Sequence, residues 1–148
     1  MNNFKDSNSS LGTEENLTEA TNFSDFLMHN KDNLIDLSLS EYLNLLLQEK
    51  GLKKADVVRN SGLDKAYVYQ IFSGDKTPSR DKLIALAFGL HLDAKESQRM
   101  LKIGRYSELY PRIPRDAAIL FSIQRGKDIW TTDELLFKND FPTLLAED

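Results

Sequence analysis

The chain has 148 residues, no cysteine and a formal net charge of -4, which allows one sizeable core with appendages rather than two independent domains, at about 100 to 200 residues per domain. The lack of cysteine excludes disulfides, thiolate nucleophiles and cysteine-held zinc or iron–sulfur groups. No stretch approaches the roughly 18 consecutive apolar residues of a membrane span, and the polar start MNNFKDSNSS has no signal-peptide character, so a cytoplasmic protein without a membrane partner is expected.

Charge is unevenly distributed. Residues 1–37 carry 2 basic and 7 acidic side chains, residues 38–92 carry 8 and 6, and residues 93–148 carry 9 and 10. The middle segment alone is positive, and mildly so. Three regions follow: an acidic, largely disordered tail over 1–37, a helical domain over 38–104, and a helical extension over 105–148.

Residues 1 to about 20 are rich in Asn, Ser, Thr and Glu and hold few large apolar side chains to offset ordering entropy, so disorder is expected there. From Asn22 to Leu37, Phe23, Phe26 and Leu27 take helical spacing ahead of Leu34, Ile35 and Leu37. This piece reads as a short helix and strap that dock on the domain or bind a partner. Ser38 or Ser40 caps a helix running to about Lys50, with Tyr42, Leu43, Leu46 and Leu47 on its apolar face and Gly51 at its end.

Residues 53–74, KKADVVRNSGLDKAYVYQIFSG, carry two short apolar-periodic segments around Gly62-Leu63-Asp64. Val57 and Val58 share one face of the first; Val68, Ile71 and Phe72 recur at i, i+3 and i+4 in the second. Gly62 suits the left-handed residue that ends a helix, Leu63 plugs the corner, and Asp64 caps the next helix. Ser79 then caps a helix through about Gly89, and another runs from about Ala94 to Ile103. Pro111 and Pro114 interrupt the pattern, Pro114 being placed to start a helix over about 115–125 that ends at Gly126. Thr131 or Thr132 caps a last helix, with Asp133 and Glu134 in its first turn. The fold class is all-α.

The Gly62-Leu63 turn, the apolar spacing of the second segment, and Ser73-Gly74 followed by Pro78-Ser79 together resemble the phage repressor/Cro-like, or Xre-type, helix-turn-helix family, over about residues 39–92. This sequence departs from the family pattern at Val58, where Ala is usual, at Lys54, where Gln is frequent, and at Phe72, where Glu is common. The resemblance implies a five-helix repressor-like helix-turn-helix domain and a sequence-specific DNA-binding transcriptional regulator whose partner is double-stranded DNA.

On a helical wheel, Val68, Ile71 and Phe72 turn inward and leave Lys65, Ala66, Tyr69, Gln70 and Ser73 opposite, with Tyr67 at the border. By analogy with the family, Lys65, Ala66 and Gln70 reach base edges, with Tyr69 beside them: Lys donates to guanine, Gln pairs with adenine, and Ala or an aromatic edge packs on a thymine methyl. Lys53, Lys54, Lys76, Thr77 and Arg80 are assigned to phosphates. Tyr67 and Tyr69 suit either base stacking or phosphate contact. His29 and His91 stand alone, with no metal-ligand spacing, and no phosphate loop or nucleophile elbow occurs; no cofactor, metal or enzymatic activity is expected. A protein-binding adaptor on the same scaffold is the alternative, suited by the acidic total charge and the tyrosine-rich face. The spare apolar surface of the extension suggests a homodimer. The acidic tail is expected to shield the basic motif by competing with phosphates, and an acidic regulator that releases DNA on binding a regulatory protein partner would combine the two readings.

Overall fold

The computed structural model describes residues 14–30 and 37–146. The chain divides into two units, Met1–Asp36 and Leu37–Asp148. All regular structure among the described residues is helical, so the protein is all-α.

In the first unit, residues 14–19 are helical and α1 spans Phe23–Asn30. Asn22 opens α1 by accepting the Asp25 amide at 2.8 Å, and Asn16 Nδ2 donates to Asn30 Oδ1 at 2.6 Å. The Phe23 and Phe26 rings stack with centroids 6.2 Å apart. Composition had pointed to disorder up to about residue 20. The helical residues 14–19 correct that expectation, because a composition count cannot see a side-chain partner 14 residues away. The rest of the expected disorder, residues 1–13, and the strap around Leu34 and Ile35 lie outside the described residues.

Among the described residues, the second unit holds seven helices whose ends follow from local chemistry. In α2 (Leu39–Lys50), Ser38 and Glu41 form a reciprocal cap, each side chain accepting the other's backbone amide, at 3.2 and 2.9 Å. Asp56 accepts the Lys53 amide at 2.8 Å to open α3 (Lys54–Ser61), and Asp64 accepts the Ala66 and Tyr67 amides to open α4 (Lys65–Ser73). Ser79 caps α5 (Arg80–Gly89), Asp93 caps α6 (Ala94–Ile103), and Pro114 is the first residue of α7 (Pro114–Gln124).

The start of α8 (Ile129–Lys138) differs from the sequence expectation. Asp128 is its cap, accepting the Thr131 amide at 2.7 Å, rather than Thr131 or Thr132. Asp133 therefore sits beyond the first turn, where its two oxygens accept the Leu144 and Leu145 amides at 2.7 and 3.0 Å. The carboxylate expected in the first turn instead anchors the chain after α8.

Helix α5 is the axis of the unit. Every residue from Leu83 to Gly89 is buried, and α3, α6 and α8 pack around it. Its approach to α3 depends on Gly89: a Cβ there would lie 2.9 Å from Ser61 Cβ and 3.0 Å from the Val57 carbonyl. Helix α4 rests on α2 and α3, while α7 and α8 pack together against α6 and α5 respectively. Val57, Val68, Ile71, Phe72, Leu83, Leu86, Met100, Ile119 and Leu136 join in one core that extends from the first helices of the unit to the last. The described part of the extension, residues 105–146, thus shares the core of the segment before it.

Candidate nucleic-acid interface

Burial orients α4. Val68, Ile71 and Phe72 are at most 2 % exposed, so the 3.6-residue period forces Lys65, Ala66, Tyr69, Gln70 and Ser73 outward. Tyr67 is half-buried at the border. Its partner helix is held at the angle set by Gly62 (φ 73°) and Leu63, which is 7 % exposed in the corner. The far end of α4 is fixed by Asn44, whose amide donates to the Phe72 carbonyl and to Ser40 O, both at 2.8 Å. Sequence reasoning missed this residue. Its one signal is a polar side chain interrupting the run Leu43 to Leu47.

The structure brings several of the assigned cations together. Lys54, from the first turn of α3, places its Nζ 5.3 Å from the Tyr69 ring centroid, and Lys65 places its own 5.7 Å from the same ring. Lys76, beyond the end of α4, lies 5.9 Å from the Tyr67 ring. Each such contact contributes about 0.5 to 1 kcal/mol at an exposed site and restrains a long flexible side chain above an aromatic face. Lys53 and Thr77 are exposed on either side. The Asp75 and Lys76 amides donate to the Gln70 carbonyl at 2.9 and 3.1 Å, which ties the loop carrying Lys76 to the outward face of α4.

Two acidic groups temper this face. Asp75 accepts the Ser73 hydroxyl at 3.0 Å beside Lys76. Asp56 lies beneath Lys53 and is paired with Arg59; the Lys53 backbone amide, and then Arg59, hold its carboxyl below the usual range. Asp56 is therefore charged at neutral pH and already engaged. The face offers ammonium groups, an exposed amide at Gln70, a methyl at Ala66 and a phenol at Tyr69, which is donor chemistry for polyanions and base edges.

Arg80 does not join it. Its Nη1 and Nη2 donate to Asp116 at 3.2 and 3.0 Å, Nη2 also reaches the Glu108 carbonyl, and Nε reaches Ser107 O at 3.0 Å. The assignment of Arg80 to phosphate is corrected accordingly, because two of its donor contacts are taken by the loop before α7 and two by Asp116 in α7. The next residue repeats the arrangement in reverse: Asp81 receives both Nη groups of Arg115 at 3.0 and 3.1 Å. The Arg-Asp pairs that begin α5 and continue α7 thus cross-link the two helices. Among the described residues no cluster of His, Cys, Asp or Glu is placed to hold a metal ion, and no helix is long and apolar enough to cross a membrane.

No protein-family model matches the chain, and no solved structure matches it. The chain is similar to the cyanate hydratase of Parasynechococcus marenigrum (strain WH8102), being 32% identical over 83 residues, which is 56% of this chain and 56% of that protein. The chain therefore matches little more than half the length of that relative. This likeness to an enzyme overturns the expectation that the protein has no enzymatic activity. That expectation rested on missing local motifs, and local motifs are silent about catalytic groups that folding or assembly gathers from distant positions.

Proposed function

We propose that residues 38–104 form a repressor-like helix-turn-helix domain of the Xre type and that the protein is a sequence-specific DNA-binding transcriptional regulator. The observation that carries this reading is the convergence of Lys54 and Lys65 on Tyr69, with Gln70 and Ala66 exposed beside them on a helix whose opposite side is core. In this reading α4 enters the major groove, Lys65, Ala66, Tyr69 and Gln70 meet base edges, and Lys53, Lys54, Tyr67, Lys76 and Thr77 meet phosphates. The extension over residues 105–148 supports the domain from behind and offers Phe121 and Phe137, 47 % and 74 % exposed, as the surface of a homodimer. Selection of bound duplexes from a random pool by the full chain tests the reading: it requires an enriched motif and an affinity that falls with salt at a slope of about -0.9 per phosphate neutralised. Binding without sequence preference rejects it. In that event the protein-binding adaptor remains, with a partner contact far less sensitive to salt.

A second reading rests on the similarity to cyanate hydratase: the chain acts on cyanate. Cyanate consumption by the purified full chain, against a heat-denatured control, separates the two; turnover without duplex selection favours the enzyme.

A further inference from the structure

At the carboxy-terminal end of α3, a cleft of about 270 Å³ opens where the α5–α6 and α7–α8 turns meet. Its floor is apolar, with Phe88 and Leu92 each 6 % exposed, and its rim carries Asn60, His91, Lys127 and the half-exposed indole of Trp130. His91 holds a left-handed backbone, φ 55°, at the end of α5. A residue with a Cβ is disfavoured there, and glycine fits without that cost. The conformation delivers the imidazole to Asn60, whose Nδ2 lies 3.1 Å from His91 Nε2. Lys127 follows Gly126 in the α7–α8 turn, and among the described residues it makes no ion pair. Asp128, the acidic group of the lining, caps α8 through the Thr131 amide and stays charged, its carboxyl held below the usual range chiefly by Thr131 and in smaller part by Lys127.

We infer that this cleft is a binding site for a small aromatic carboxylate. An aromatic ring fits between the indole of Trp130 and the apolar floor, and its carboxylate meets the Lys127 ammonium with the Asn60–His91 pair beside it. Because α3, α5 and the α7–α8 turn each supply part of the lining, a bound molecule ties the extension to the helix pair. The site lies at the opposite end of α3 from Lys54 and holds whether or not α4 binds DNA.

Trp130 is the single tryptophan of the chain, so its fluorescence reads this cleft directly. The full chain is titrated with benzoate and, separately, with uncharged benzamide. For nine heavy atoms at modest ligand efficiency, benzoate is expected to saturate with a Kd of about 1 mM. Benzamide should bind at least about tenfold more weakly for want of a charge on Lys127. Lys127→Ala removes that preference. His91→Gly weakens benzoate by about tenfold while thermal stability is kept, since glycine suits the left-handed backbone, and this separates loss of the site from loss of the fold. No saturable change up to about 10 mM benzoate, equal binding of benzamide, or undiminished binding by both variants overturns the site.

Discussion

Lys54, Lys65 and Lys76 lie over the faces of Tyr69 and Tyr67, and none of them makes an ion pair among the described residues. Arg80 and Arg115, of the same charge and also near helix starts, have side chains only 22 % and 19 % exposed and give bidentate bonds to Asp116 and Asp81. The difference lies in what the fold places opposite each cation. An aromatic face attracts a lysine weakly and leaves its charge available to a partner, whereas a carboxylate in fork geometry with nearby carbonyls engages most of the guanidinium's donors. One set is left without carboxylate partners among the described residues, and the other is a fastening.

The largest effect should come from breaking the fastening. Asp116→Ala leaves Arg80 without a carboxylate in a half-closed site and also strands the Tyr110 amide, which now donates to Asp116 at 3.0 Å. Urea denaturation should show a loss of about 3 to 5 kcal/mol. An unchanged midpoint would mean that Arg80 is as free as the lysines and would restore it to the phosphate set.

On the surface, Gln70→Ala should cost about 1 to 3 kcal/mol at one base pair of a selected duplex and relax selectivity there, with the denaturation midpoint unmoved. Binding titrations against the duplex and its point mutants check this. If the loss is equal on every sequence, Gln70 positions the protein and does not read bases.

Lys54→Ala should weaken all duplexes alike and reduce the salt slope by about one unit. Arg115→Ala is the control for that measurement: it should lower stability and leave the slope unchanged, and the distinction between the two sets fails if the slopes shift equally.

The smallest effect concerns acid stability, which depends on neither set of cations. Glu41, Asp56 and Asp128 each accept a backbone amide at a helix start, from Ser38, Lys53 and Thr131 respectively, and those bonds are the main cause of carboxyl pKa values below the ordinary ones. A group with a depressed folded-state pKa contributes stability that is complete above its unfolded value, 4.5 for Glu and 3.8 for Asp, and is lost as pH falls through the folded value. Thermal melts should therefore weaken below about pH 4.5, and Asp128→Asn should flatten part of that decline.

The helices were largely legible because their determinants are local. Ser38, Asp64, Ser79 and Gly62 act on amides or torsions within a few residues, and the inward set Val68, Ile71 and Phe72 follows from a period of 3.6. The same period assigned Lys65, Ala66, Tyr69 and Gln70 to one open face. The cap of α8 was misplaced because Asp128, Thr131 and Thr132 all carry cap-competent oxygens, and only the fold of the α7–α8 turn selects among them. Tertiary structure alone decided that Lys54 would reach Tyr69 on the next helix, that Arg80 would turn to Asp116, 36 residues away, and that His91 would meet Asn60 at the rim of a cleft. A side chain's identity fixes the charge and donors that it carries. The partner that it finds depends on which distant segment packing brings within about 3 Å, and no local pattern records that distance.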